Sequence, residues 1–385
     1  MKKAILLFVH VLCAAVVWAQ PLNHRWAKSL GGSTDDEAQA ITVTADGTVY
    51  VAGSFTSSSM VFGPTMNDIY YNEGGYDGYI ARYNPDGSLR WAACVLGAGN
   101  QVMRSLAFDT ATGYLYVTGA TNATVAPTYS RIGVWASAVP VTAGGSDILV
   151  MKIDTGTGAL NSAVSFGGTG DDEPQALALG NGNVYIAGSF SGTVNFCGSS
   201  STCTPANVYQ RSSAGGTDAF VLRLSAATLG TTGVVTYGST GADMARDVTA
   251  DNAGNFYAVG NFSGSVNFNP LYNAMNRTSA GGYDGFVLKA NSNLGTLWVV
   301  SQGNTGSDWG SAVALDKDGD VYVAGLFEGA NTSFDGYPVS SAGQWDGYVW
   351  HLTGNGDNRG VARLGSATGD QFNDIAIDAD KNIWQ

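Results

Sequence analysis

Acidic residues recur at one place in five of six repeated segments of this chain, Asp35-Asp36, Asp171-Asp172, Asp243, Asp308 and Asp370, while the second segment has Gly97-Ala-Gly-Asn100 there. Carboxylates at a loop edge are what calcium coordinates, so Asp36, Asp172, Asp243, Asp308 and Asp370 are candidate metal ligands. The competing use is structural: a short Asp at a strand start accepts backbone N–H groups and pins a Gly-rich turn, and a once-per-repeat occurrence favours that use. Asp316-Lys-Asp-Gly-Asp320 resembles the start of a calcium loop, but Phe327 stands where such a loop has its Glu. No cofactor is expected beyond this calcium option.

Catalytic groups are sparse. Outside the N-terminal leader described below the histidines are His24 and His351, and His351 takes a place that other segments fill with Arg or Lys. No Gly-x-Ser-x-Gly elbow, His-Glu-x-x-His pair or Walker loop occurs, and no catalytic residue is assigned. Aromatic rings that stack on sugars are more plentiful. Tyr70, Tyr71, Tyr129, Trp135, Tyr209, Tyr272 and Tyr337 lie in long stretches between strand patterns and are the candidate ligand-binding residues. Cys197 and Cys203 bracket five residues of a loop and are expected to form a disulfide, whereas Cys94 falls in an apolar strand.

The elements that position these residues repeat about every 65 residues. A turn followed by β-branched and aromatic alternation recurs at Asp46 to Gly53, Thr112 to Gly119, Asn181 to Gly188, Asn252 to Gly260 and Asp318 to Gly325, and it begins again at Asp380. A second hairpin follows, opening at Gly74, Gly144, Gly215, Gly281 and Gly343, with Asp three residues on and a basic residue or His351 five beyond that. Four locally joined strands per unit without helical periodicity predict an all-β chain, a β-propeller of four-stranded blades. Five blades are expected complete, over 31–97, 98–167, 168–238, 239–303 and 304–365. A sixth, over 366–385, is composite or incomplete, in a ring of six or seven. Arg25 to Leu30 matches an outer fourth strand and is expected to help close the ring.

Gly167-Gly-Thr-Gly-Asp-Asp172, Asp251-Asn-Ala-Gly-Asn-Phe-Tyr257, Phe262-Ser-Gly-Ser-Val-Asn-Phe-Asn-Pro270 and Gly281-Gly-Tyr-Asp-Gly-Phe286 together resemble the SBBP-type β-propeller repeat of exported bacterial proteins. The resemblance implies a propeller at the cell surface or outside the cell and implies no defined activity.

Lys2 and Lys3, the apolar run to Trp18 and the small Ala19 read as a signal peptide over 1–19, leaving a propeller over 20–385. No transmembrane segment is expected. Without Lys2 and Lys3 the chain has 16 basic against 31 acidic residues, a net charge of −15, which argues against nucleic acid as a partner. The expected function is a secreted or surface-associated, non-enzymatic module that presents its long inserts to a protein or glycan. The alternatives are a secreted polysaccharide-active enzyme with carboxylates at the channel mouth, and a structural spacer in a larger surface protein.

Overall fold

The computed structural model describes residues 26–65, 68–131, 134–140, 144–199, 203 and 208–384. The leader expected over 1–19 lies outside them. The described residues form β-strands and no α-helix, so none offers a helix long and apolar enough to cross a membrane.

Five antiparallel four-stranded units follow one another along the chain. The first runs Asp36–Val43, Val49–Phe55, Asp77–Tyr83 and Leu89–Leu96, each strand pairing with the next. The same order returns in the units that begin at Gln101–Asp109, Asp172–Gly180, Met244–Ala250 and Trp309–Leu315. The pair Ala376–Ile377 and Ile383–Trp384 opens a sixth. Tight turns built on Asp, Asn and Gly join the strands; Gly47, Gly182, Gly254 and Gly319 take positive φ there, a conformation open to glycine at little cost.

Apolar cores lie between successive units, and a further one, with Phe55, Phe62, Tyr79 and Cys94, is formed by the first unit and its own insert with Trp26 and Leu30 packed against it. Tyr50, Ala52, Ile80 and Trp91 of the first unit pack with Leu106, Val117 and Leu149 of the second, and each later pair of neighbours repeats this. Leu106, Leu177, Val248, Val313 and Ile375, one on each innermost segment, are between 4 and 8% exposed, because each lies against the unit before it. Their counterpart in the first unit, Ile41, is 67% exposed.

A polar latch accompanies each junction among the five complete units. The basic residue of the third strand reaches the next unit's turn: Arg82 donates to the Thr155 carbonyl at 2.6 Å, Lys152 to Ala226 at 2.9 Å and Lys289 to Gly354 at 3.2 Å, and Arg223 donates to the Ser292 carbonyl. Outer-strand tryptophans join it, Trp91 Nε1 donating to the Thr155 carbonyl at 2.9 Å and Trp298 Nε1 to Gly354 at 3.1 Å. Trp26 repeats this contact on the first unit, donating to the Pro85 carbonyl at 3.1 Å. Residues 26–30 form no strand, unlike the outer strand their pattern suggests, yet Trp26 stands towards the first unit as Trp91 stands towards the second.

The long inserts also differ from the free loops their variability suggests. Those of the second and fifth units are hairpins that pair with the outer strand of the preceding unit, as in Cys94 with Ser130 and Gln302 with Phe334. That of the third unit pairs Asn195 with Gly167. An unpaired outer strand would expose a row of amide groups, and the inserts cover it. Their Phe62, Phe196, Phe268 and Phe334 are fully buried, which fixes the hairpins from beneath.

Candidate functional site

Every innermost strand of the five units carries a β-bulge at one place, between Ala38 and Ala40, Met103 and Ser105, Pro174 and Ala176, Ala245 and Asp247, and Gly310 and Ala312. The bulged residues are Gln39, Arg104, Gln175, Arg246 and Ser311, and Asn373 holds the corresponding place in the sixth segment. All six line one cavity of about 740 Å³, around which the innermost segments meet. A bulge leaves one residue out of the ladder and re-aims its side chain, which is how an all-polar ring comes to face a channel whose wall also carries small and apolar residues such as Ala38, Ala40, Leu106 and Ala176.

Glycine opposite the bulge makes this possible. A Cβ on Gly53, Gly119, Gly188, Gly260 or Gly325 would lie 1.9, 2.3, 2.1, 1.9 or 2.1 Å from the carbonyl oxygen of Glu37, Val102, Glu173, Met244 or Trp309. Only a residue without Cβ admits that close approach.

Arg104 pairs with Glu173 of the next unit at 2.6 Å. Arg246 donates through Nε to Asn261 at 2.8 Å and lies over the Trp309 ring at 5.0 Å, and burial lowers its pKa. Asp247 links two units: one carboxylate oxygen accepts from the Val248 N–H at 2.8 Å and the other from Val313 at 2.7 Å. Burial pushes its pKa up to about 7. Ser105 makes the equivalent link, accepting from the Leu177 N–H at 3.0 Å.

The aspartates singled out as metal candidates accept backbone amides. Asp172 accepts from Gly168 at 2.8 Å and Ser191 at 3.3 Å, Asp243 from Ser239 at 2.7 Å and Ser263 at 2.8 Å, and Asp308 from Asn304 at 3.0 Å and Glu328 at 2.9 Å. Asp36 takes Gly32, Thr56 and Ser57, and Asp370 takes Ser366. Each of the first four ties the turn before its own strand to the chain leaving the second strand. Burial raises Asp172 and Asp308 to about 7 and Asp243 in the same direction. Asp36 is lowered, because hydrogen bonds from Ser57, Gly32 and Thr56 outweigh its burial. The five stand in five different units, with Gln101 at that place in the second, and no cluster of three or more metal-ligating side chains occurs among the described residues. In the calcium-like turn, the Lys381 ammonium lies 2.7 Å from Asp316 and 2.6 Å from Asp318.

The candidate aromatics divide by direction. Tyr70 and Tyr129 point inward and anchor their hairpins, donating to the Ala92 carbonyl at 2.9 Å and to Gly158 at 2.8 Å. Tyr209 is half-buried against the core between the second and third units. Tyr71, Tyr272 and Tyr337 face solvent at 66, 58 and 59% exposure. The Trp135 side chain lies outside the described residues. Cys197 and Cys203 form a disulfide, and Cys94 is a buried free thiol. His351 stacks on Tyr322 at 4.3 Å and sits 3.2 Å from Asp320. Sequence reasoning missed the channel ring altogether. Its signal was present: a polar residue recurs three positions after each strand-opening Asp or Gln, where strict alternation leaves no reason for it.

A family model described as a domain of unknown function (DUF5122), beta-propeller, matches residues 68–89. No curated protein matches. Among solved structures, hydrazine synthase of Kuenenia stuttgartiensis is similar at 12% identity over 94% of this chain and 93% of that one, with a TM-score of 0.40. The consecutive four-stranded units, the cores between them and the family match together identify the fold as a β-propeller.

Proposed function

We propose that the chain is an exported, non-enzymatic binding module of the SBBP repeat type, closed as a six-bladed ring, that presents its insert hairpins to a protein or glycan partner. One observation carries this: Tyr71, Tyr272 and Tyr337 hold their rings in solvent on inserts whose other face is locked into the core. Tyr70 beside Tyr71, and Phe334 paired with Tyr337, are buried. An exposed aromatic on a rigid support offers large contact area at low entropic cost.

Six blades are favoured by Trp26, which makes the contact that the outer strand of a preceding blade makes elsewhere, and by the inter-unit links. Ala40, Ser105, Ala176, Asp247, Ala312 and Asp374 hold one register position, and hydrogen-bonding side chains stand at every second unit. Six units preserve that alternation around a ring; seven break it. The resemblance to exported repeat proteins and the leader-like start support export.

The test is a panel of immobilised glycans and purified surface proteins, probed with the chain and with a Tyr71→Ser/Tyr272→Ser/Tyr337→Ser variant. Ligands retained by the chain and lost by the variant are expected; retention equal in both removes the proposal.

A second reading, a polysaccharide-active enzyme, draws on Asp247 and Asp374, which line the same cavity. A carboxyl near 7 suits a general acid. Both oxygens of Asp247 are committed to backbone amides, which favours the binding module.

A further inference from the structure

We infer that the channel cavity is a second binding site, for a neutral oligosaccharide, with Gln175, Arg246 and Ser311 as its principal hydrogen-bonding residues. The inference takes from the proposed function only the class of ligand; the site is separate from the exposed tyrosines.

Three observations support it. The first is placement: five consecutive units each spend a bulge, at the cost of ladder hydrogen bonds, to direct one side chain into the cavity, and all five are polar. Packing does not demand them, since the flanking residues build the walls. The second is unspent hydrogen-bonding capacity. Gln175 and Ser311 make no side-chain hydrogen bond among the described residues, Arg246 commits only Nε to a protein acceptor, and the buried Arg104 Nε has no partner. Gln175 stands on the unit between those carrying Arg104 and Arg246, so guanidinium, amide and guanidinium follow one another round the wall.

The third is charge. Lys28, Arg104 and Arg246 line the cavity with Asp36, Glu37, Asp247 and Asp374, and Glu173 is bound to Arg104. Three cations against five carboxylates leave no net attraction for an anion, and the guanidiniums oppose a cation. Free donors beside acceptors match hydroxyl groups, which donate and accept at once. A volume of about 740 Å³ lies in the range of sites that enclose small ligands, and the half-buried Trp26 adds a ring to the wall.

The experiment is ligand-observed NMR and calorimetry with maltotriose, cellotriose and xylotriose, with trigalacturonate as the acidic comparison. The proteins are the chain, a Gln175→Ala/Ser311→Ala variant and the triple-tyrosine variant. Because Gln175 and Ser311 hold no protein partner, their removal leaves the fold intact, and a circular dichroism melt checks this. At least one neutral trisaccharide is expected to bind, about tenfold or more weaker to Gln175→Ala/Ser311→Ala through two lost hydrogen bonds, and undiminished to the tyrosine variant. Absence of neutral binding, preference for trigalacturonate or full affinity of Gln175→Ala/Ser311→Ala overturns the inference. Binding lost only in the tyrosine variant overturns it as well, while leaving the proposed function standing.

Discussion

Gly188 gives the sharpest test of how the channel ring is built. It pairs with Pro174 at the bulge of the third unit, and an added Cβ would sit 2.1 Å from the Glu173 carbonyl oxygen and 2.8 Å from the Phe220 ring. Ordinary contact begins at 3.4 Å, so in Gly188→Ala the carbonyl must retreat by roughly 1.3 Å, through backbone held on both sides by neighbouring strands. Overpacking of this kind costs about 1–3 kcal/mol, and a disturbed ladder bond adds about 1 kcal/mol. The stiffer unfolded chain returns about 0.4–1 kcal/mol. The net expectation is a loss of about 2–3 kcal/mol. Gly182→Ala is the control: φ is +73° with nothing within 4 Å of the new Cβ, so only the left-handed conformation is penalised, by about 1–2 kcal/mol before the same entropic return. Urea unfolding followed by tryptophan fluorescence reads both. Gly188→Ala should have the lower midpoint, with weaker trisaccharide binding because Gln175 shifts with the bulge. Equal midpoints would refute the role given to this glycine.

Further outcomes follow from the same structure. Burial holds Asp172, Asp247 and Asp308 at about 7 and Asp77, Asp218 and Asp284 at about 6, above the ordinary 3.8. The folded state therefore binds protons that the unfolded chain releases, and stability rises as pH falls from about 7 towards about 4. Asp36 and Asp154 are lowered, and their contribution is lost below about pH 4. A higher melting temperature at pH 5 than at pH 8 is expected; a melting temperature that is flat or rises with pH contradicts the assignment. Lys152→Met removes a buried ammonium that donates to two carbonyls of the next unit at 2.9 and 3.2 Å, and should cost about 2 kcal/mol in denaturant unfolding. Opening the short Cys197 to Cys203 loop with a double Ser variant should cost about 2 kcal/mol at most in the same assay.

The blade pattern was readable because turn residues and period-two alternation are local properties, repeated often enough to average out exceptions. The pairs Thr231 to Tyr237 with Gln210 to Ser225, and Val321 to Glu328 with Trp345 to Leu352, need no information from outside their own unit. The inserts of the second, third and fifth units were misread because their partner is the outer strand of the unit before. Nothing in Thr128 to Arg131 announces a ladder with Cys94 to Leu96. Tyr70 and Tyr71 were also indistinguishable in sequence, although one is a buried anchor and the other faces solvent: neighbours on a strand point to opposite faces, and the local pairing of Ser59 to Val61 with Ile69 to Tyr71 does not say which face meets the core. The third-strand basic column was legible as a repeated position, but its target, a carbonyl in the following unit, was not. The bulges were invisible to a pattern search that assumes strict alternation, and the channel ring was lost with them.

Binding without turnover is the central claim, and a single time course examines it. The chain is incubated with a panel of neutral polysaccharides while retention on each polymer and release of new reducing ends are followed together. Retention with no growth of reducing ends over a day, unaltered by Asp247→Asn, is the predicted result. Reducing ends that accumulate with time and vanish in Asp247→Asn would contradict it and make the channel carboxylates catalytic.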